Sequence, residues 1–162
     1  MHLDGFFFNS LVREIQQKIA GSRMEDVYDS VEGNLILQLR APGQTLRLEI
    51  SIPPQAFFLT EGGRRRKNPG AFSQTLKKHM ASLFCRSFTN PPFDRRATLA
   101  LAPSPNGPAS HFLHIEIMGR QNDIILCDQD IIIASTRPPK PGAARLLQPG
   151  DRYSPPLMPA KT

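Results

Sequence analysis

Cysteine is scarce in this sequence, and long apolar runs are absent. Among its 162 residues only Cys85 and Cys127 are cysteines, too few for a disulfide framework, so a reducing cytoplasm is the expected location. Neither cysteine has a histidine nearby at ligand spacing, which argues against a zinc site. No apolar run could span a bilayer, and GFFFNSLV is not expected to be a signal peptide, because Asp4 precedes it and no cleavage site follows.

The sequence also lacks the motifs of nucleotide-dependent enzymes and of common hydrolases. The segment EGGRRRKNPG is glycine-rich and basic, but it does not have the spacing of a phosphate-binding P-loop. No dinucleotide fingerprint and no set of serine, histidine and carboxylate can be identified, and His79 has no ligand-type partner four residues away. We therefore expect no cofactor and no metal site.

What the chain does have is positive charge and proline. Its formal net charge of +6 and isoelectric point near 9.8 favour a polyanionic partner, because phosphate contacts release counterions. The 16 prolines are concentrated toward the C-terminus, where PPKPGAARLLQPGDRYSPPLMP can sustain neither a helix nor a central strand. We expect a domain core at residues 1–136 and a proline-rich arm or linker at 137–162, leading toward further C-terminal regions.

Hydrophobic periodicity predicts helices and strands in separate groups. An apolar stripe predicts a helix at residues 5–20, ended by Gly21, and a second helix is predicted at residues 71–84. Alternation in LRLEISI predicts a half-buried strand in an antiparallel meander, and further strands follow the second helix. Because helices and strands do not alternate one by one, the order favours an α+β fold over a doubly wound parallel sheet.

Three polar stretches are candidates for binding, and each also has a purely structural interpretation. In HIEIMGRQND, Glu116 and Arg120 could form a cross-strand pair at the bend or a polar surface with Asn122. Asp94 and Arg95 stand just before an apolar strand, where a local salt bridge or turn cap is the alternative to ligand contact. The four consecutive cations of the basic loop are either solvated on a mobile loop or in contact with phosphates. They are Arg64, Arg65, Arg66 and Lys67.

The order of five segments resembles the NFACT family. These segments are LDGFFFNSLVREIQQKIAGSRMEDVY, FSQTLKKHM, FDR before a strand, IEIMGRQNDIIL and LQPGDRYSPP. The chain is similar over essentially its whole length to the N-terminal domain of these proteins, which include RqcH-type factors, bacterial proteins labelled fibronectin-binding protein A, and the eukaryotic NEMF. The resemblance implies a two-layer, mostly antiparallel β-sandwich with flanking helices, similar to the N-terminal domain of formamidopyrimidine-DNA glycosylases. Base excision is not expected, because the chain begins with Met1 and lacks the N-terminal proline nucleophile. The resemblance therefore implies an RNA-binding module and not an enzyme, with no small-molecule substrate.

The resemblance also implies a function and places residues in it. NFACT proteins of this type bind large ribosomal subunits that carry obstructed nascent chains, and they recruit tRNA for C-terminal tailing without mRNA. Asp94 and Arg95 match the family's Asp-Arg pair associated with tRNA recruitment. The tRNA-binding surface expected from the resemblance also includes residues of the E-I-M-G-R block and of the bend after it. These are Glu116, Arg120 and Asn122, while Asp4 and Gly5 match the family's start motif.

The sequence departs from the family pattern in places, and two other functions stay open. Gln121 stands where the family commonly has histidine, and Pro69 stands alone where a proline pair is usual. The label fibronectin-binding keeps a surface adhesin as one alternative to a cytoplasmic, ribosome-associated factor. A general nucleic-acid-binding module without glycosylase activity is the other, based on the basic charge and the expected fold.

Overall fold

The computed structural model describes residues 5–91, 96–117, 122–136 and 147–155. Within these ranges the chain forms two helices and a sheet of nine strands. The helices are α1 (Gly5–Ile19) and α2 (Ala71–Met80). The strands are β1 (Arg23–Asp29), β2 (Leu35–Ala41), β3 (Gln44–Ile50), β4 (Phe57–Thr60), β5 (Phe84–Thr89), β6 (Arg96–Ala102), β7 (His111–Glu116), β8 (Asp123–Asp128) and β9 (Ile131–Ser135). Neither helix is both long and apolar enough to cross a membrane.

Helix α1 buries one apolar stripe and ends at a glycine, as the sequence predicts. Residues three and four apart share a helix face, so one side of α1 faces the core. The buried side chains are Phe8, Val12, Ile15 and Ile19. Gly21 has φ of +85°, a conformation that side chains with a Cβ rarely adopt, and its N–H donates to the carbonyl of Cys85 at 2.8 Å. The chain turns there and enters β1 beside β5.

The strand order is β4-β3-β2-β1-β5-β6-β7-β8-β9, and every neighbouring pair is antiparallel. The β1–β5 junction is short, with Arg23 opposite Phe84 as the one registered pair. A parallel, doubly wound sheet is therefore excluded for the described residues, and the α+β prediction is confirmed. The predicted alternation of β3 also holds at Leu48 and Ile50, which are buried, but Ile52 lies past the end of the strand and is exposed.

The sheet folds over on itself around one core. Phe57 on β4 and Phe88 on β5 have ring centroids 5.5 Å apart, although three strands lie between β4 and β5 in the sheet order. A flat sheet would separate them by about 19 Å, since neighbouring strands are about 4.8 Å apart. Phe8 on α1 packs edge-on against Phe57 at 5.5 Å, so the first helix fills the same core. This closure gives the two layers that the family resemblance implies.

The second helix is shorter than the sequence predicts. It ends at Met80, and the expected helical residues up to Phe84 form a connection and the start of β5. Ser82 adopts φ of +74° and its N–H donates to the carbonyl of Met24 at 2.8 Å, while the Met24 N–H donates to the carbonyl of Leu83 at 2.7 Å. Backbone pairing with β1 therefore replaces the last helical turn, a tertiary effect that local apolar spacing does not reveal.

The outer face of the β7–β9 hairpins is covered by part of the proline-rich region. Ile125, Cys127 and Ile132 form a second buried cluster on this face, and Leu147 and Tyr153 pack against it. We call residues 147–155 the C-terminal strap. Its backbone is fixed to β9: the Ile132 N–H donates to the carbonyl of Asp151 at 2.9 Å, and the Tyr153 N–H donates to that of Asp130 at 2.7 Å.

Candidate nucleic-acid interface

The polar residues of three adjacent strands meet at one end of the sheet. Arg96, the first residue of β6, is opposite Glu116, the last residue of β7, and Glu116 is opposite Asp123, the first residue of β8. Directly opposed residues project to the same face of a sheet, so these three side chains form one row. We call this row, together with Tyr153 of the strap, the polar end. Asn122 is half-buried immediately before β8.

Some of the residues predicted from the sequence lie outside the described ranges. They are Asp4, Asp94, Arg95 and Arg120. Gly5 is the first residue of α1, so the family start motif leads directly into this helix. The remaining predicted residues, including the four basic-loop cations, lie within the described part of the chain.

Glu116 is an interior residue. Its side chain is fully buried, and its Oε2 accepts a hydrogen bond of 2.5 Å from the Tyr153 hydroxyl. Arg96 Nη1 in turn donates to the same hydroxyl oxygen at 3.2 Å, and its guanidinium carbon lies 5.8 Å from the Tyr153 ring centroid. Burial and the Glu116 charge both raise the pKa of the Tyr153 phenol, so the hydroxyl remains protonated and able to donate. The Tyr153 hydroxyl thus connects the start of β6 with the end of β7.

Glu116 is therefore covered by the strap in this structure, although the alternating pattern of β7 predicts a polar side that faces solvent. His114, on the same side of β7, is also buried, and its ring stacks on that of Tyr153 at 4.0 Å with an interplanar angle of 6°. His114 Nδ1 lies 2.9 Å from the Thr98 hydroxyl on β6. Tyr153 of the strap covers both side chains. Its ring packs on the His114 ring, and its hydroxyl donates to the Glu116 carboxylate.

Asp123 is the second buried carboxylate of the polar end. Its Oδ1 accepts bonds from the Thr136 N–H at 3.1 Å and the Thr136 hydroxyl at 2.7 Å. Its Oδ2 is buried and has no hydrogen-bond partner among the described residues. Burial raises the pKa of the Asp123 carboxyl, and the neighbouring Glu116 charge adds to this effect, outweighing the bonds from Thr136. The polar end therefore contains two buried carboxylates whose negative charges repel each other.

A second surface is cationic and is arranged around two aspartates of β1. Asp26 Oδ2 lies 2.5 Å from Arg65 Nη2, and its Oδ1 lies 3.1 Å from Lys77 Nζ on α2. Burial of Asp26 opposes ionisation, but the bonds from these two cations outweigh it and lower the pKa of the carboxyl. The Arg65 guanidinium carbon also lies 4.2 Å from the Tyr28 ring centroid, within cation–π range. One carboxylate thus holds the basic loop against the last turn of α2.

Asp29 performs a similar task at the start of α2. Its Oδ2 accepts bonds from the Gly70 N–H at 2.8 Å and the Ser73 hydroxyl at 2.6 Å, and it lies 3.4 Å from Arg66 Nη2. The loop backbone is also paired with β1, because the Arg66 N–H donates to the carbonyl of Asp29 at 2.9 Å. The basic loop is therefore tied to the sheet. Its cations and those of α2 form the surface that we call the basic surface. It comprises Arg64, Arg65, Arg66, Lys67, Lys77 and Lys78, all exposed.

Helix α2, which carries Lys77 and Lys78 of the basic surface, reaches one end of β7, and the polar end lies at the other. His79, which follows Lys78 on α2, has its ring 6.1 Å from that of His111, the first residue of β7. Burial lowers the pKa of His111, and the opposing effect of Asp128 is smaller. Glu116 is at the other end of this strand, so a rise of about 3.4 Å per residue separates the ends by about 17 Å. A ligand that reaches both surfaces has to be larger than a mononucleotide.

No group of three or more metal-ligating side chains occurs in the part of the chain that the structure describes. The two carboxylates of the polar end are buried and hydrogen-bonded, Glu116 to Tyr153 and Asp123 to Thr136. What sequence reasoning missed here is the contribution of Arg96, His114 and Tyr153. The signal available for Tyr153 was an aromatic residue in an otherwise polar, proline-rich segment, but nothing local indicates where it packs.

This chain is similar to proteins named Rqc2 homolog RqcH and to solved structures of proteins named fibronectin-binding. The family model described as NFACT N-terminal and middle domains matches residues 4–161. The protein named Rqc2 homolog RqcH from Bacillus subtilis (strain 168) is 26% identical over 170 residues, covering 99% of this chain and 30% of the relative. Its namesake from Streptococcus pneumoniae serotype 2 is 28% identical over 135 residues, covering 80% of this chain and 24% of the relative.

Solved structures show the same fold. The N-terminal domain of fibronectin-binding protein PavA from Streptococcus pneumoniae superposes with a TM-score of 0.83 at 26% identity, covering 95% of this chain and 62% of that one. The N-terminal part of the fibronectin/fibrinogen-binding protein from Streptococcus suis gives a TM-score of 0.82 at 24% identity, covering 99% and 62%. This chain thus spans less than a third of the curated relatives it matches and under two thirds of these solved chains.

Proposed function

This chain belongs to the NFACT family, and on that premise we propose that it is the N-terminal RNA-contacting domain of a ribosome-associated quality control factor. The complete factor binds obstructed large ribosomal subunits in the cytoplasm and recruits tRNA for mRNA-independent C-terminal tailing. The match to the RqcH-named protein of Bacillus subtilis extends over 99% of the chain, which supports assigning the domain to this type of factor. The main structural support for the proposal is the strand register at the polar end, which pairs Arg96 with Glu116 and Glu116 with Asp123.

The register brings the described residues that adjoin the two candidate tRNA-contacting segments in the sequence to the same end of the sheet, which supports the proposal. Asp94 and Arg95 directly precede Arg96, and Arg120 lies between Glu116 and Asp123 in the sequence. Arg96 is paired with Glu116 and Glu116 with Asp123, so the described residues that follow the first segment and flank the second lie in one row. RNA is recognised through phosphates, ribose hydroxyls and exposed base edges, and a paired acid and base can serve all three.

Each residue of this surface has a distinct proposed role. Arg95 and Arg120 bind phosphate or base edges, and Asp94 orients Arg95 or accepts a bond from a ribose hydroxyl or base amine. Asn122, half-buried immediately before β8, contacts a base edge through its amide in this proposal. Glu116 supports this surface from beneath, because it is buried and bonded to Tyr153.

A double substitution in the full-length factor tests the tRNA surface. Losing one charged hydrogen bond costs about 1.5–3 kcal/mol, so Asp94→Ala with Arg95→Ala is expected to weaken tRNA binding at least about tenfold. Subunit co-sedimentation and the melting temperature are expected to stay nearly unchanged. The matched control replaces Asp130 and Arg152, an exposed acid–base pair with a distance of 2.6 Å on the same domain. A test variant that melts much earlier than the control would show that Asp94 and Arg95 have a structural role.

We propose that the basic surface contacts RNA phosphates without reading sequence. Arg65, Arg66 and Lys77 are held by carboxylates, so Arg64 and Lys67 are the loop cations that contribute most freely to such contacts. Removing one cation that touches a phosphate reduces the slope of log affinity against log salt by about 0.7–0.9. Arg64→Ser with Lys67→Ser is therefore expected to reduce the slope by about 1.4–1.8.

The control for the basic surface removes the same charge elsewhere. Arg13 and Lys18 are exposed on α1, and replacing both with serine lowers the net charge equally. If both variants change the salt slope by the same amount, long-range net charge and not local contact explains the effect, and the proposed phosphate contacts are wrong. Isothermal titration or fluorescence anisotropy over a series of salt concentrations gives the slope.

An adhesin is the second candidate function, because solved relatives are named fibronectin-binding. Fractionation of cells that contain the full-length protein separates the two functions: co-sedimentation with large ribosomal subunits supports the RNA-contacting factor, and surface protease sensitivity supports the adhesin. A general nucleic-acid-binding module is distinguished by competition. Duplex DNA of equal charge should displace tRNA poorly if ribose hydroxyls and shape are recognised, and equally well if they are not.

A further inference from the structure

The strap residue Tyr153 makes contacts that reach far across the sequence. Its hydroxyl donates to Glu116, 37 residues away, and accepts from Arg96, 57 residues away. Its ring stacks on His114 at 4.0 Å, and His114 lies 2.9 Å from the hydroxyl of Thr98. One side chain therefore contacts both strands that border the candidate tRNA surface.

Tyr153 is itself held firmly by the strap. Its N–H donates to the carbonyl of Asp130 at 2.7 Å, and the adjacent Arg152 forms an isolated β-bridge with Ile131. Gly150 also donates its N–H to the carbonyl of Ile132 at 2.8 Å. The position of the phenol is thus fixed by backbone pairing and does not depend on the polar end alone.

We infer that Tyr153 is a positioning residue for tRNA binding, which acts by holding the start of β6 and the end of β7 in one arrangement. This inference rests on the proposed tRNA surface and adds to it a residue that does not itself contact RNA. Arg96 immediately follows the proposed contact residue Arg95 in the sequence, and its side-chain bond to Tyr153 restrains the start of β6. A binding residue displaced by about 1 Å loses most of its hydrogen-bond geometry, which makes such restraint valuable.

Substituting phenylalanine for Tyr153 removes only the hydroxyl. The ring remains available to stack on His114, and the buried apolar surface under the strap is retained. In the full-length factor, Tyr153→Phe is expected to weaken tRNA binding about tenfold, which is about 1.4 kcal/mol. The control is Arg152→Ala, which removes the exposed ion pair with Asp130 from the same segment and is expected to leave affinity within about twofold.

A double-mutant cycle with Arg95→Ala distinguishes positioning from general destabilisation. If Tyr153 acts through Arg95, adding Tyr153→Phe to Arg95→Ala should change the tRNA dissociation constant by less than about twofold. The same tenfold loss in both backgrounds would overturn the inference, and so would wild-type affinity of Tyr153→Phe alone. If Arg95→Ala by itself does not weaken tRNA binding, the proposed tRNA surface fails first, so the two failures are distinguishable.

A second variant decides the outcome if Tyr153→Phe melts more than about 5 °C below the wild type. Arg96→Lys keeps the positive charge but lacks the guanidinium fork that reaches the Tyr153 hydroxyl at 3.2 Å. It is expected to show a tenfold loss of tRNA affinity with nearly unchanged melting. Wild-type affinity of Arg96→Lys would show that the contact between Arg96 and Tyr153 does not position the surface.

Discussion

Replacing Asp123 with asparagine should stabilise this domain at neutral pH. Asp123 is fully buried, stands opposite the equally buried Glu116, and has one oxygen without a hydrogen-bond partner among the described residues. Asparagine has the same shape and keeps a carbonyl oxygen for the two bonds from Thr136. The substitution therefore removes a poorly compensated charge while leaving the packing of β8 intact.

The expected size of this effect follows from the geometry of the polar end. Opposed side chains place two charges about 6 Å apart, and at an effective dielectric of about 20 they repel by about 3 kcal/mol. Converting two charge-assisted bonds into neutral ones costs about 1–2 kcal/mol in total. The net gain is about 1–2 kcal/mol, which for a chain of this size is about 2–8 °C in melting temperature.

The stability that Asp123→Asn gains over the wild type should decrease as the pH falls. The pKa of Asp123 is raised in the folded protein above its ordinary value of 3.8, so the folded state binds the proton more tightly than the unfolded state. Its contribution to stability is thus fully present below pH 3.8 and is lost as the pH rises through the folded pKa. Asp123→Asn should be more stable than the wild type at pH 7, and the difference should shrink at pH 4 and below.

Thermal melts by circular dichroism at pH 7 and pH 4 measure both effects. The control is Asp130→Asn, because Asp130 is an exposed carboxylate whose partner Arg152 is also exposed, and its change should stay within about 0.5 kcal/mol. A destabilised Asp123→Asn variant at pH 7 would refute the reasoning, and so would a gain that is equally large at pH 4. Either result would mean that the Asp123 charge is compensated in the folded protein.

Three further predictions concern the supports of the two surfaces. Asp29→Ala should lower the free energy of unfolding in urea by about 2–3 kcal/mol, since it removes the acceptor for Ser73 and for the start of α2; a change below about 0.5 kcal/mol would contradict this role. Phe57→Ala should cost about 3–5 kcal/mol at the core closure, whereas the exposed Phe58→Ala should cost little; equal effects would contradict the closure. The folded pKa of Asp26 is lowered below 3.8, so the wild type loses the stability that this carboxylate contributes as the pH falls from 3.8 through the folded pKa. Asp26→Asn lacks this contribution, so its melting temperature should fall less steeply with decreasing pH in this range.

The parts of the fold that local patterns specify could be predicted from the sequence. The stripe of α1 recurs at helical spacing and Gly21 ends it, so the predicted helix agrees with the structure to within one residue at its end. The apolar and polar alternation of β3 likewise identifies a strand with Leu48 and Ile50 inward. Both signals depend on residues that are close in sequence, and the physical cause acts over the same distance.

The features that the sequence does not reveal depend on partners distant in sequence. The helix predicted at α2 extends four residues too far, because Ser82 and Leu83 pair with Met24 on β1 instead of continuing the helix. The polar side of β7 is expected from the sequence to face solvent, but Glu116 is covered by Tyr153. A polar residue in an alternating strand normally indicates an exposed face, and only the packing of the strap reverses this.

The two proposed surfaces hold their charges in different ways, and this determines what each can contribute to RNA binding. The basic surface is exposed, and its attraction to phosphate falls as salt screens it over about 8–10 Å. At the polar end, Arg96 and Glu116 are held by Tyr153 in a largely buried arrangement, where screening is weak and side-chain direction is fixed. The basic surface is therefore suited to attract any RNA. The polar end supports the proposed tRNA-contacting residues that adjoin it in the sequence, and in our proposal these residues distinguish among RNAs. Raising the salt concentration should consequently weaken binding of tRNA and of unrelated RNA together, while the ratio of the two affinities, which depends on the polar end, should change little.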